Sequence, residues 1–412
     1  MTPPPNPRVN PPTNPRVDPS TNPQVSPSPK PPTSLLTNPS SHPSVTESVD
    51  RVLSPAANLL GVRPVINANA TVTVLGGSLM PAPVVTAMSE AAAQFVDLPE
   101  LNLRVGERLA ELTHNEAAYV TSGAAAAITL TVAACITTDS QAFPVDAEVV
   151  MFASQRNGYD YSARITGARI VEVGPSEDEL RTALARKPAC VLWFAGAHYA
   201  AGALPVEDVV RCAREFGVPV IVDAAAQIPP VASLWRFTRD IGADAVLVSG
   251  GKGLRGPQAS GLVLGKRWLV DRVRAHTSPN QELGRGMKVG KEELMGLLAA
   301  VEWTLAQDEE ALLASYERIV DSWIVGLQGI PGVSVERGYP SEAGQPHSRA
   351  VLRLTRDRDE VVQELWDGDP RIAVGTFRLP DDAIALNPQT LQPGEHKLVL
   401  DALLRILSPG RQ

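Results

Sequence analysis

The chain is poor in cysteine and histidine. Its three cysteines, Cys135, Cys190 and Cys212, are odd in number, form no CxxC and lie in apolar or helical surroundings. That excludes a disulfide framework and reads as buried, reduced thiols of a cytoplasmic protein. The six histidines are scattered and form no HExxH, so no metal site is indicated. There is no run of 18 apolar residues to span a membrane. The first residues also lack the charged-then-apolar order of a secretory signal. Cations are outnumbered, with 37 Lys and Arg against 45 Asp and Glu, a net charge of −8. Such a chain repels phosphate backbones, which argues against non-specific nucleic-acid binding. A local basic pocket for a small anion remains compatible with it.

Proline, by contrast, is concentrated at one end. Residues 1–45 hold fifteen of the chain's 37 prolines. An octapeptide repeats there as "NPRVNPPT" (6–13), "NPRVDPST" (14–21) and "NPQVSPSP" (22–29), with an echo at "NPSSHPSV" (38–45). Proline removes backbone donors and fixes φ, so an extended or disordered tail is expected. It is either dispensable or a docking segment for a proline-recognising partner.

From about Ser54 the composition turns globular, and the 412 residues suit a large domain plus a smaller one. Seven apolar runs read as strands: "AAYV" (117–120), "EVVMF" (148–152), "RIVEV" (169–173), "CVLWF" (190–194), "VPVIVD" (218–223), "DAVLVS" (244–249) and "GLVLG" (261–265). Nearly continuous apolar runs are strands buried on both faces. Helical stretches such as "PVEDVVRCAREFG" (205–217) lie between several of them. The expected fold class is α/β, a mostly parallel seven-stranded sheet with helices on both faces. "GLVLG" follows its predecessor too closely for a crossover helix, which allows antiparallel pairing. After Gly290 a long helix (291–328), with room for one break, leads into short strands at 333–338, 349–354, 371–375 and 383–386 and a last helix at 393–407. The expected organisation is the tail (1–45), a large domain with an N-terminal arm (46–290), and the long helix with a small α+β domain (291–412).

Three features stand at carboxyl ends of expected strands, where open α/β sheets bind ligands. In "VTSGAAAAITL" (120–130), Ser122-Gly123-Ala124 opens a helix whose free N–H groups and dipole favour an anion. In "VPVIVDAAAQIPP" (218–230), Asp223 closes an apolar strand, a costly place for a carboxylate without a partner. Lys252 follows the next strand among Gly250, Gly251 and Gly253, which leave room for a flat cofactor. Near apolar walls its pKa falls and its amine becomes a nucleophile. Each feature alone has a plainer reading: small residues at a helix start, a helix cap, a surface lysine. Together they are what pyridoxal phosphate needs. The lysine meets its aldehyde, the aspartate keeps its ring nitrogen protonated, and the helix start takes its phosphate.

The chain also resembles a known family over about residues 60–408. The resemblance rests on "RPVINANATVTVLGGS" (63–78), "LAELTHNEAAYVTSGAAAAI" (109–128), "VDAAAQIPP" (222–230), "GADAVLVSGGKGLRGPQASGLVLG" (242–265), "GRGMKVGKEELMGLLAA" (284–300) and "LNPQTLQPGE" (386–395). It is to the fold-type I pyridoxal-phosphate enzymes related to aminotransferases of class V. Within them it is to the selenocysteine synthase (L-seryl-tRNA selenium transferase)-like group, on the side of its D-glucosaminate-6-phosphate ammonia-lyase-type members. By that resemblance Lys252 matches the Schiff-base lysine, Asp223 the partner of the pyridine nitrogen, and Ser122, Gly123 and Ala124 the phosphate-binding turn. Ser249 is a further phosphate ligand. Gln227 and Gln258 bind cofactor or substrate, and Tyr159 either stacks on the pyridine ring or fills the core. Arg285 and Lys288 match a basic pair that holds anionic substrate groups. An arginine is usual at the second position, and a lysine there weakens planar recognition of a carboxylate.

The selenium transferases carry a folded tRNA-gripping domain where this chain has its proline repeat. The expected substrate is therefore a small anionic amino acid or amino-sugar acid. The expected reaction is removal of the Cα proton followed by β-elimination or replacement. A tRNA-dependent selenium transferase, an aminotransferase, a racemase and a non-catalytic relative are the alternatives. The resemblance also implies a homodimer or larger homo-oligomer.

Overall fold

The computed structural model describes residues 60–137, 143 and 146–408; the tail read at residues 1–45 lies outside them. The first strand, β1 (Val65–Ala68), stands apart from the seven that follow. These are β2 (Ala117–Thr121), β3 (Glu148–Phe152), β4 (Arg169–Val173), β5 (Cys190–Phe194), β6 (Val220–Asp223), β7 (Ala245–Ser249) and β8 (Gly261–Gly265). They form one sheet in the order β2-β8-β7-β6-β5-β3-β4. All seven match the apolar runs. Only β8 runs against its neighbours, antiparallel to both β2 and β7; the eleven residues between Ser249 and Gly261 are too few for a crossover helix.

The pleat sorts the side chains. Val150, Phe152, Val191, Trp193, Val246 and Val248 enter the core on one face. Val149, Met151, Cys190, Leu192, Ala245 and Leu247 enter that on the other. Alternation with both faces buried is what makes the runs continuously apolar.

Helices α1 (Ala82–Ala92), α2 (Leu98–Leu112), α3 (Ala124–Ile136), α4 (Tyr161–Arg164), α5 (Glu177–Leu184), α6 (Ala197–Ala200), α7 (Val206–Phe216), α8 (Arg267–Ala275) and α9 (Lys291–Leu305) accompany this sheet. On the first face lie α1, α2, α5, α7 and α9, through residues such as Val84, Leu109, Leu180, Val209 and Leu297. On the second lie α3, α4 and α8, through Ile128, Ala163 and Val270. Helix α3 is buried continuously from Ala127 to Ala134, which its unbroken apolar sequence requires. Helix α7 ends where Gly217 takes φ 68°, a left-handed cap that glycine adopts without strain.

The long helix is broken once. Asp308 caps α10 (Glu309–Leu327) by accepting the Ala311 N–H. Strands β9 (Val333–Gly338), β10 (Arg349–Leu354) and β12 (Ala383–Leu386) make an antiparallel sheet in the order β12-β10-β9. Helices α11 (Arg358–Asp367) and α12 (Glu395–Leu407) accompany it. Between them β11 (Arg371–Val374) pairs in parallel with β1. The arm, expected with the large domain, thus adds its strand to the C-terminal part. Ile66 and Ala68 are buried there with Leu352, Ile372 and Leu403. All these elements fall within one compact unit.

Candidate active site

Strands β2, β3, β5, β6 and β7 end at one edge of the large sheet. Phe194 stands opposite Asp223, and Asp223 opposite Leu247. At this edge opens a cleft of about 420 Å³. Its walls include Gly123 and Ala124, Tyr159, Asp223 and Gln227, and Ser249, Lys252 and Gln258. Eight of the eleven residues read from the sequence therefore meet there. Three do not. Ser122 is half-buried beside the cleft without lining it, and Arg285 and Lys288 are exposed on a separate turn.

The turn between β2 and α3 presents backbone to the cleft. Thr121 Oγ1 donates to the Gly123 carbonyl at 2.9 Å, and Gly123 takes φ 134°. A Cβ on Gly123 would meet nothing within 4 Å, so open space faces the first N–H groups of α3, which have no partner within the helix. From behind, Gly261 packs against the turn; a Cβ on it would lie 2.8 Å from the Ala124 nitrogen.

Asp223 is 6% exposed. Its Oδ1 accepts the Ala225 N–H at 2.9 Å, and no hydrogen bond to Oδ2 is present among the described residues. Burial pushes its pKa above the ordinary carboxylate value; the Ala225 N–H and the charge on Lys252 pull the other way. A buried carboxylate with a free oxygen toward a cleft suits a cation such as a protonated ring nitrogen.

Lys252 sits on a tightly held loop. Its carbonyl accepts from Ser78 Oγ at 2.8 Å and from the Arg255 N–H at 2.9 Å. Burial lowers its pKa below the ordinary lysine value, and Asp223 opposes the shift. The surrounding glycines do not leave room for a cofactor, as the sequence reading had it. A Cβ on Gly250 would lie 2.0 Å from Ser260 Oγ, one on Gly251 2.5 Å from Gln258 Cα, and one on Gly253 1.9 Å from the Ile228 carbonyl oxygen. Their small size lets the loop pass between protein walls and deliver one long side chain to the cleft.

Side chains that bridge elements close the rim. Gln227 Nε2 donates to the Ala343 carbonyl at 2.7 Å, and Gln258 Nε2 to the Thr73 carbonyl at 3.0 Å. Tyr159, 55% exposed, follows a turn in which Asn157 Oδ1 accepts its N–H. Among the lining residues that escaped the sequence reading are His198, Tyr199, Glu342 and Phe377. The His198 and Tyr199 rings lie 3.9 Å apart, inclined at 43°. Burial and the nearby Arg378 lower the His198 pKa. The pair follows β5 as Asp223 closes β6, so the strand-end rule that flagged Asp223 also points to them. Glu342 and Phe377 come from C-terminal loops that carry no such signal.

A larger hollow of about 960 Å³ opens at the opposite edge of the sheet. Its acids are already paired, Glu148 with Arg169 and Arg186, and Asp244 with Lys266. The chemistry gathers in the smaller cleft. It brings together N–H groups that can hold a phosphate, a carboxylate that can face a ring cation and an amine that can meet an aldehyde, on a sheet of one reversed and six parallel strands. That combination defines the fold-type I pyridoxal-phosphate class.

Comparison with known proteins agrees. No protein-family model matches the chain. A 5'-C-glycyluridine monooxygenase-decarboxylase from Streptomyces sp is 33% identical over 373 residues, covering 84% of this chain and 91% of that protein. The D-glucosaminate-6-phosphate ammonia lyase of Salmonella typhimurium is 32% identical, covering 84% and 96%. A solved D-glucosaminate-6-phosphate ammonia-lyase superposes with a TM-score of 0.72 at 29% identity, covering 86% of this chain and 99% of that one. The L-seryl-tRNA(Sec) selenium transferase of Solidesulfovibrio magneticus is 29% identical, covering 84% and 83%. The chain belongs to the selenocysteine synthase-like family of fold-type I pyridoxal-phosphate enzymes. It is a pyridoxal-phosphate-dependent lyase or transferase. Among the described residues no helix is long and apolar enough to cross a membrane.

Proposed function

We propose that the protein is a lyase that removes ammonia from a small amino-sugar acid, with Lys252 as its proton carrier. The observation that carries this reading is the meeting of Lys252, Asp223 and the Gly123–Ala124 turn in one cleft at the carboxyl edge of the sheet. Bound pyridoxal phosphate supplies an aldehyde for the substrate amine and an electron sink for the charge left at Cα. The N–H groups at the start of α3, with Ser249, bind its phosphate. Asp223 keeps its ring nitrogen protonated, and that cation in turn holds Asp223 ionised. Lys252 takes the proton from Cα. Its depressed pKa makes the neutral amine available nearer neutral pH. The same nitrogen then carries a proton beside Cβ, where it leaves with the β-hydroxyl as water. Hydrolysis of the remaining enamine-derived product gives ammonia and a 2-keto acid. Tyr159, Gln227 and Gln258 line the cavity that positions the cofactor and the polyhydroxylated chain.

The substrate class is supported by two relatives whose names join an amino-acid function to a sugar, glucosaminate and a 5'-C-glycyl nucleoside. The net charge of −8 favours a small molecule over tRNA. The working unit in this reading is a homodimer. Val74, Leu79, Val85, Phe95, Val96 and Leu103 expose apolar side chains along the arm, α1 and α2. Arg285 and Lys288, exposed and outside their own cleft, then serve the partner's cleft by holding an anionic substrate group.

The test is incubation of the pyridoxal-phosphate-loaded protein with D-glucosaminate and its 6-phosphate, with and without oxygen. Stoichiometric ammonia and 2-keto acid in both atmospheres are expected. The Streptomyces relative supports a second reading, oxidative decarboxylation of a glycyl nucleoside. Oxygen-dependent release of carbon dioxide from such a substrate, without ammonia from the sugar acids, would establish that reading instead.

A further inference from the structure

Lys252 lines two cavities. One is the cleft. The other is a small pocket of about 50 Å³, which meets the cleft at Lys252 and Thr71. Arg255, Trp303, Tyr316 and Gln389 are among its walls. Arg255 stands at φ 55°, in the left-handed region that a residue with a side chain occupies only when its surroundings fix it there. Its Nε donates to the Leu79 carbonyl at 2.9 Å, and its guanidinium lies 5.4 Å from the centre of the Trp303 ring. It forms no ion pair among the described residues. Burial pushes its pKa below the ordinary arginine value. The one carboxylate in the pocket's wall, that of Glu309, is taken up by the Val231 N–H. The Tyr316 phenol, pushed up to about 12 by burial, stays neutral and supplies no counter-charge. A half-buried cation without an ion-pair partner carries a desolvation cost, and a bound anion relieves that cost.

We propose that Arg255 binds the α-carboxylate of the amino-acid substrate in the small pocket beside Lys252, while the rest of the substrate occupies the cleft. This rests on the reading of the site as one that deprotonates an amino acid at Cα. For Lys252 to reach that proton, Cα must lie at the lysine, where the two cavities meet. Amine and side chain then point into the larger space, and the smallest substituent points into the smaller. A pocket of about 50 Å³ takes a carboxylate and excludes a sugar or a phosphorylated chain. The planar fork of an arginine matches both carboxylate oxygens at once.

Serine and ethanolamine differ only by that carboxylate, so their binding isolates it. Each serine enantiomer and ethanolamine are titrated into the cofactor-loaded protein and followed by the cofactor's absorbance. Arg255→Gln should weaken serine binding on the order of tenfold to a hundredfold and leave ethanolamine unchanged. Arg255→Lys should recover part of the loss. A structural role would weaken both ligands alike. Parallel losses, or an unchanged serine-to-ethanolamine ratio, overturn the proposal. If the protein takes up no pyridoxal phosphate, the reading beneath it fails, and propionate titrated into the cofactor-free protein decides the role of Arg255. A saturable change in tryptophan emission, lost in Arg255→Gln and in Trp303→Phe, sustains anion binding there; no change refutes it.

Discussion

Lys252 and Asp223 face one cleft, and each pulls the other toward its charged form while burial pushes both toward neutrality. The sign of this coupling gives a prediction. Asp223 raises the Lys252 pKa, so Asp223→Asn should lower it further below the ordinary lysine value. In cofactor-free protein, the pH midpoint for capture of added pyridoxal phosphate by borohydride should therefore move down. Peptide mapping should place the captured group on Lys252, and Lys252→Ala should abolish it. A midpoint that rises in Asp223→Asn contradicts the coupling.

Gly253 and Gly123 separate two reasons for a glycine. A Cβ on Gly253 would lie 1.9 Å from the Ile228 carbonyl oxygen, a backbone atom that cannot swing aside. Gly253→Ala should therefore displace the lysine loop, abolish cofactor uptake and lower the melting temperature. At Gly123 the new methyl meets nothing, and the cost is the φ of 134° alone, about 1–3 kcal/mol. Gly123→Ala should keep the fold but weaken pyridoxal phosphate more than unphosphorylated pyridoxal. Thermal melts and cofactor titrations of both variants distinguish the two cases.

The same glycines mark how far the sequence was legible. The seven strands of the large sheet could be read because strands buried on both faces are continuous apolar runs. Lys252 and Asp223 could be read because side-chain chemistry at a strand's end stands out against such a run. Why Gly250, Gly251 and Gly253 are glycine could not, since their neighbours Ser260, Gln258 and Ile228 become neighbours only on folding. Strand β1 is four residues long and pairs with β11, about 300 positions away, so no local pattern announces the contact. Glu342 reaches the cleft from a loop, and the lack of an ion pair to Arg255 among the described residues, with Glu309 taken up by the Val231 N–H, is a property of packing alone.

Asp160 shows how a buried charge steadies the rim. It is 3% exposed, and its oxygens accept Arg156 Nε at 2.6 Å and Arg164 Nε at 3.1 Å. This pins the turn that presents Tyr159. The two arginine side chains are 31% and 48% exposed, so they stay hydrated when the carboxylate is lost. Asp160→Asn should thus cost about 1–3 kcal/mol rather than the ~3–5 kcal/mol of a fully buried broken pair. Urea unfolding measures the first quantity, and a several-fold loss in cofactor affinity should accompany it. Wild-type stability with unchanged affinity would remove Asp160 from any supporting role.

The placement of Arg285 outside its own cleft makes the proposed dimer testable through complementation. Arg285→Ala should raise KM for a phosphorylated substrate far more than it disturbs cofactor absorbance, with a smaller effect on an analogue lacking the distal anion. Lys252→Ala should be inactive at any substrate concentration. If Arg285 serves the partner's cleft, a mixed dimer of the two variants has one doubly defective site and one intact site. Random mixing makes half the dimers mixed, and half of their sites are intact. At low substrate, activity should then recover to about a quarter of wild type per site, as a two-fold assembly requires. If Arg285 acts within its own subunit, no mixed dimer contains an intact site and nothing recovers. Sedimentation of a fully active monomer would dispose of the dimer itself, and Arg285 would then have to reach its own cleft by a movement of the turn that carries it.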